Sequence, residues 1–182
     1  ISCFQGDYNE DKILKPKNII LMIGDGMGLS QITAAMYSNE GGLNLEEIEH
    51  IGLIKTNSAS SIITDSAAGA TAYSTGQKTY NGSINMNIDT LPLIPITVNL
   101  YNNNIKTGIV SSCSVTHATP ACFYGNMKHR YDDNEVLAKQ FITSNINVLM
   151  GGGEDYFTNR KDNINLIDTL KSMNYTVIDS II

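Results

Sequence analysis

The segment Lys17–Ile23 (KNIILMI) carries an unbroken apolar run that stops at Gly24-Asp25-Gly26-Met27-Gly28. A strand that is apolar at every position, rather than at alternate ones, is built for burial on both faces. Parallel sheets covered by helices provide that environment. Helix-forming residues with apolar spacing follow over Leu29–Tyr37. The opening unit therefore reads as strand, glycine-rich turn and helix.

The same alternation continues along the chain. Ile51–Lys55 (IGLIK), Thr107–Ser111 (TGIVS), Asn147–Met150 (NVLM) and Tyr175–Ile178 read as strands. Asp65–Tyr73, Asn134–Phe141 and Leu166–Met173 read as helices, the second with Val136, Leu137 and Phe141 on one face. Alternating strands and helices predict an α/β fold, a three-layer α/β/α arrangement with a mostly parallel central sheet. Such sheets place their sites at the carboxyl ends of strands. Asp25 and the triplet Gly151-Gly152-Gly153 fall at such ends, and Ser66 falls at the start of a helix. Tyr80–Pro95, rich in Asn and Pro and without period, reads as an excursion across the surface. No internal repeat or interdomain linker is visible.

The length of 182 residues fits one domain, or part of a larger one, at roughly 100–200 residues per domain. Residues 1–16 read as a polar tail or tether, and 17–182 as part of a single domain. No apolar stretch approaches the roughly 18–20 residues of a membrane-spanning helix. A net charge of −6 with only two arginines argues against a nucleic-acid-binding face. It leaves phosphate-bearing substrates open, because metal ions reverse a local field. Cys3, Cys113 and Cys122 make no disulfide framework, and the last two read as free thiols. Ile-Ser-Cys at the start, without Met, matches what surrounds a lipoprotein cleavage point. That gives the expectation of a lipid anchor at Cys3 and a periplasmic or extracellular location.

Three constellations carry chemistry. Asp25 is a carboxylate flanked by glycines, which keep side chains away so that ions and substrate can approach. The spacing is not that of a dinucleotide fingerprint. In Thr64-Asp65-Ser66-Ala67-Ala68-Gly69-Ala70-Thr71-Ala72, Ser66 meets the free N–H groups and positive dipole end of a helix, which favour an anion. Ser66 or Asp65 serving only as a helix cap is the plainer alternative. Thr116-His117-Ala118-Thr119-Pro120-Ala121 is followed by Arg130. A guanidinium suits bidentate contact with phosphate, and a surface ion pair with Asp132 or Asp133 is its alternative. His117 alone reads as structural.

These motifs, in this order, resemble the alkaline phosphatases, zinc-dependent phosphomonoesterases. GDGMG resembles that family's first metal-binding turn, and TDSAAGATAYSTGQKTYNG resembles its nucleophile segment. THATPA with Arg130 resembles the third block, and VLMGGG the next strand and loop. The resemblance runs from about Lys17 to about Asp155 and covers the N-terminal part of the family's length.

The resemblance implies that Ser66 is the nucleophile and forms a phosphoserine. It implies that Asp25 bridges a zinc and a third metal, usually magnesium, which Thr119 also binds. It implies that Arg130 holds two phosphate oxygens and that Asp65 steadies Arg130. Substrates would be phosphate monoesters, with inorganic phosphate as product, and a homodimer is a family habit. The resemblance counts His117 and Ser66 with Asp25 and Thr119 among the metal-site residues; His117 stands where some members carry Asp, which leaves the third metal's identity open. The family's remaining metal ligands have no counterpart here. His50 reads as a strand edge, and His129 matches no ligand position. The isolated chain is therefore expected to be inactive. The alternative is a non-catalytic half-domain that binds anions and associates with a complementary part. Sulfatases, diesterases and phosphoglycerate mutases fit the residues around Ser66 less well.

Overall fold

A computed structural model describes residues 16–178 of the chain. All of the expected tail but residue 16 lies outside them, as do Cys3 with its expected lipid anchor and residues 179–182.

The chain forms α1 (Leu29–Ser38), α2 (Ser66–Thr75), α3 (Ile96–Asn102), β1 (Gly108–Ser114), α4 (Ala118–Ala121), α5 (Asn134–Phe141), β2 (Val148–Gly152), α6 (Asp155–Thr158) and α7 (Leu166–Ser172). The sheet is one parallel pair, with Gly108 opposite Val148, Ile109 opposite Leu149 and Val110 opposite Met150. The α/β expectation therefore holds in partial form. Among the described residues no helix is long and apolar enough to cross a membrane.

Local chemistry explains the helices. The Asp65 carboxylate caps α2 by accepting the Ala68 N–H at 3.0 Å, and Gly76 closes the helix in the left-handed region at φ 73°. Its buried face is small: Ala67, Ala68, Ala70, Thr71 and Ser74. A face without bulk lets α4 lie close, and α2 packs on α4 through Ala118 and Ala121. Asp133 caps α5 at the Glu135 N–H. The Phe141 ring then meets Tyr124, Phe157 and Tyr175 edge-on at 5.7, 6.4 and 6.2 Å between centroids.

Several expectations are corrected. Lys17–Ile23, Ile51–Lys55 and Tyr175–Ile178 form no strand, and His50 opens none. Residues 18–23 make no backbone hydrogen bond to a neighbour, and Ile19, Ile20 and Met22 are more than four-fifths exposed. Their composition suits a doubly covered strand, but the ladder that defines one needs a second chain segment alongside. On α5, Leu137 and Phe141 are buried while Val136 is exposed. Positions i and i+4 share a face, and the preceding residue turns about 100° away.

The largest correction concerns Tyr80–Pro95. Whereas residues 88–92 and Ile94 lie exposed as expected, Ser83, Ile84, Asn85 and Met86 are buried. Asn85 anchors them. Its Nδ2 donates to the carbonyls of Cys122 and of Gly125, the latter at 2.9 Å, and its Oδ1 accepts from Ser74 Oγ at 2.8 Å. Its N–H donates to Thr71 Oγ1 at 2.9 Å, and its carbonyl accepts from Leu93. The residue takes φ 48°, a conformation Asn tolerates better than most.

Cys113 and Cys122 are both free, the first exposed and the second buried. Burial pushes the Cys122 thiol up to about 12, against lowering by hydrogen bonds from Thr71 and Asn85. The thiolate is the reactive species. Alkylation with iodoacetamide at pH 8, mapped by peptide mass, is expected to label Cys113 in the native chain and Cys122 only in denaturant. Native labelling of Cys122 at a comparable rate would contradict its burial.

Candidate active site

Two hydrogen-bonded groups meet at the start of α2. In the first, Asp25 sits in the turn before α1. Its Oδ1 accepts from Ser66 Oγ and its Oδ2 from Thr119 Oγ1, each at 3.0 Å. Ser66 is the first residue of α2 and Thr119 lies in the first turn of α4, so the α2–α4 packing sets the two hydroxyls.

In the second group, Arg130 Nη1 donates to Asp65 Oδ2 at 3.2 Å, and Nη2 lies 2.9 Å from His117 Nε2. The Arg130 side chain is only 10% exposed. Its ion-pair partner is Asp65, not the adjacent Asp132 or Asp133. The Tyr131 ring lies 5.3 Å from the guanidinium carbon, within cation–π range.

Gly82 joins the parts. Its N–H donates to Asp65 Oδ2 at 3.1 Å, and its carbonyl accepts the Arg130 N–H at 2.7 Å. An antiparallel bridge between Ile84 and Met127 sets these two segments opposite each other. Gly82 has φ +89°, and a Cβ there would lie 2.7 Å from the His129 ring. Only glycine fits. His129 is thus a neighbour of the clamp through Gly82, while His50 is exposed in the segment before Ile51. Reading Tyr80–Pro95 as a surface excursion missed Gly82 and Asn85; the Asn81-Gly82 turn pair was the available clue.

Electrostatics follow from these contacts. Burial alone would raise the Asp65 carboxyl. The N–H groups of Ala68 and Gly82 and the Arg130 guanidinium outweigh it and hold the group below the ordinary carboxylate value. Burial, then the Arg130 charge, push the His117 imidazole down, with Asp25 opposing. A neutral ring whose Nε2 accepts from Arg130 carries its proton on Nδ1, and that buried Nδ1 has no partner.

The Asp65 shift has a testable sign. A carboxylate lowered on folding stabilises the fold above its unfolded value, and the contribution disappears as pH falls through the folded value. Melting curves of wild type are therefore expected to drop more steeply below about pH 4 than those of Asp65→Asn, which starts lower at neutral pH. Parallel acid slopes would rule out the clamp as a stabilising element.

The oxygen donors of Asp25, Ser66 and Thr119 form a hard set that suits magnesium. They do not complete a zinc site, which takes three protein ligands and favours N and S donors. Among the described residues no three His, Cys, Asp or Glu side chains gather closely enough to hold a metal ion.

On an α/β frame, the start of α2 thus carries a serine whose hydroxyl meets a carboxylate, and its capping Asp65 holds the Arg130 guanidinium. The family model for alkaline phosphatase matches residues 16–180. The alkaline phosphatase of Schizosaccharomyces pombe is 35% identical over 170 residues, 84% of this chain and 32% of that protein. Alkaline phosphatase 3 of Bacillus subtilis is 35% identical over 186 aligned positions, which cover 94% of this chain and 39% of that protein. The structure of alkaline phosphatase from the Antarctic bacterium TAB5 superposes with a TM-score of 0.83 at 42% identity, over 87% of this chain and 46% of that one. A variant of the TAB5 enzyme, with one histidine replaced by glutamate, has magnesium bound in its M3 site. The chain belongs to the alkaline phosphatase family, and it spans less than half the length of these relatives.

Proposed function

We propose that this chain carries the nucleophile and phosphate-gripping part of a phosphomonoesterase that works at alkaline pH through a phosphoserine at Ser66. The convergence of Ser66, Asp25, Thr119 and Arg130 at the α2 N-terminus carries this reading. Arg130 presents N–H groups beyond those committed to Asp65 and His117, in a fork matched to phosphate oxygens. The N–H groups of Ser66 and Ala67 precede the first helical hydrogen bond and add partial positive charge. Asp25 orients the Ser66 hydroxyl and accepts its proton in a hydrogen bond, which aims the oxygen's lone pairs at the anion.

Asp25 and Thr119, with His117 nearby, would hold magnesium. Zinc would draw on Asp25 and Ser66 and needs ligands besides these. When bound, such metals lower the serine pKa and stabilise the leaving oxygen. The test is p-nitrophenyl phosphate hydrolysis by the purified chain with zinc and magnesium at alkaline pH, against Ser66→Ala. No turnover above the variant is expected, because the zinc ligands are incomplete. Ser66-dependent turnover would show that fewer ligands suffice and would sink the expectation of inactivity.

A second reading, a half-domain that associates with a complementary part, is favoured by exposed apolar side chains on the extended segments and the sheet, among them Ile19, Met22, Val110 and Met150. Concentration-dependent elution in gel filtration supports it; a monomer at all concentrations opposes it.

A further inference from the structure

We propose that Asn81-Gly82 is a latent modification site, a deamidation switch that the phosphate clamp keeps closed. The chain contains one Asn-Gly pair. Asparagine cyclises most readily before glycine, because no side chain shields the following nitrogen and the backbone turns freely. The glycine of this pair is fixed by the fold, since φ +89° and the nearby His129 ring both disfavour a side chain at 82.

The reaction is defined. The Gly82 nitrogen, having lost its proton to hydroxide, attacks Asn81 Cγ. A new N–Cγ bond forms, the Cγ–Nδ2 bond breaks, and ammonia leaves with a proton from water. Hydroxide then opens the five-membered succinimide at either carbonyl, and leaves aspartate, or isoaspartate with the main chain rerouted through the side chain. The only co-reactants are water and hydroxide.

The fold restrains both ends of that step. Asn81 Nδ2 donates to the Ile63 carbonyl at 2.9 Å, and the Asn81 N–H to Ser60 Oγ at 3.0 Å. The Gly82 N–H, which must be surrendered, is engaged by Asp65 Oδ2, itself fixed by Arg130. Its carbonyl is tied to the Arg130 N–H. Asn81 Oδ1 is meanwhile buried without a partner, so the side chain gains less from its setting than the amide could. Either product alters the loop that holds Asp65 and Arg130: aspartate replaces the Nδ2 donor with a carboxylate oxygen facing the Ile63 carbonyl, and isoaspartate adds a carbon to the main chain next to Gly82. Modification would release the guanidinium from its fixed position irreversibly, and faster at alkaline pH.

The experiment is peptide mass mapping of the purified chain held at pH 8.5 and 37 °C, natively and in urea, following the one-dalton gain at Asn81. Native wild type is expected to react at least tenfold more slowly than the urea-unfolded chain. Asp65→Ala, checked for native circular dichroism, is expected to recover most of that difference. Equal native and urea rates, or a folded Asp65→Ala as slow as wild type, would overturn the proposal. Hydrogen exchange of the Gly82 amide in wild type tests it without any variant: protection is expected, and exchange at the unstructured rate refutes it. None of these readouts depends on phosphatase activity.

Discussion

Asn85→Ala is expected to remove about 4 kcal/mol of stability, a large share of the roughly 5–15 kcal/mol by which a native protein exceeds its unfolded state. The substitution strips donors from two buried carbonyls, Cys122 and Gly125, while the Ser74 hydroxyl keeps its bond to the Thr71 carbonyl. Each group left without a partner costs about 1–3 kcal/mol. Alanine also tolerates φ 48° less well than asparagine, whose side chain hydrogen-bonds locally, although both carry a Cβ. Some relaxation offsets the sum. Ser74→Ala loses one bond of the same network and should fall by only about 1 kcal/mol. Urea unfolding followed by circular dichroism separates the two. A loss below about 1 kcal/mol for Asn85→Ala would mean that the network does not hold α2 to α4.

Arg130→Ala is expected to weaken inorganic phosphate binding by about a hundredfold, since charge-assisted paired bonds are worth about 3 kcal/mol together. Arg130→Lys keeps the charge but loses the fork, and should fall between wild type and alanine. The measurement is the rise in melting temperature with added phosphate, because a ligand that binds only the folded chain stabilises it in proportion to occupancy. Melting without phosphate corrects for stability lost with the Asp65 pair. If wild type and Arg130→Ala respond equally to phosphate, Arg130 is a structural ion pair and the gripping role fails.

What the sequence made legible divides by range. Helices α2 and α5 and strands β1 and β2 announce themselves through caps, short apolar runs and flanking glycines, all within a few residues. The burial of Ser83–Met86 does not. It depends on Asn85 reaching carbonyls 37 and 40 positions away, and no local period encodes a hydrogen bond of that span. The strands expected around Ile20 and Leu53 show the opposite fault. Their composition was read for a covered sheet, whereas pairing belongs to the neighbour as much as to the segment. At the site, motif and order pointed to Asp25, Ser66, Thr119 and Arg130. The link of Arg130 to Asp65 through Gly82 rests on the bridge between Ile84 and Met127, which only the folded chain displays.

The crossover between the two parallel strands has a kinetic consequence. Gly108 pairs with Val148 across 40 positions, and α4, Arg130 and α5 all lie inside that loop. Closing a long loop precedes the contacts that reward it, so parallel pairing is slow. Arg130 lies inside that loop and meets Asp65 across 65 positions, whereas the Asp65 cap on the Ala68 N–H spans three. On an emerging polypeptide, Asp65 and Ser66 are made 65 and 64 residues before Arg130, so the ion pair closes only after the intervening chain has followed.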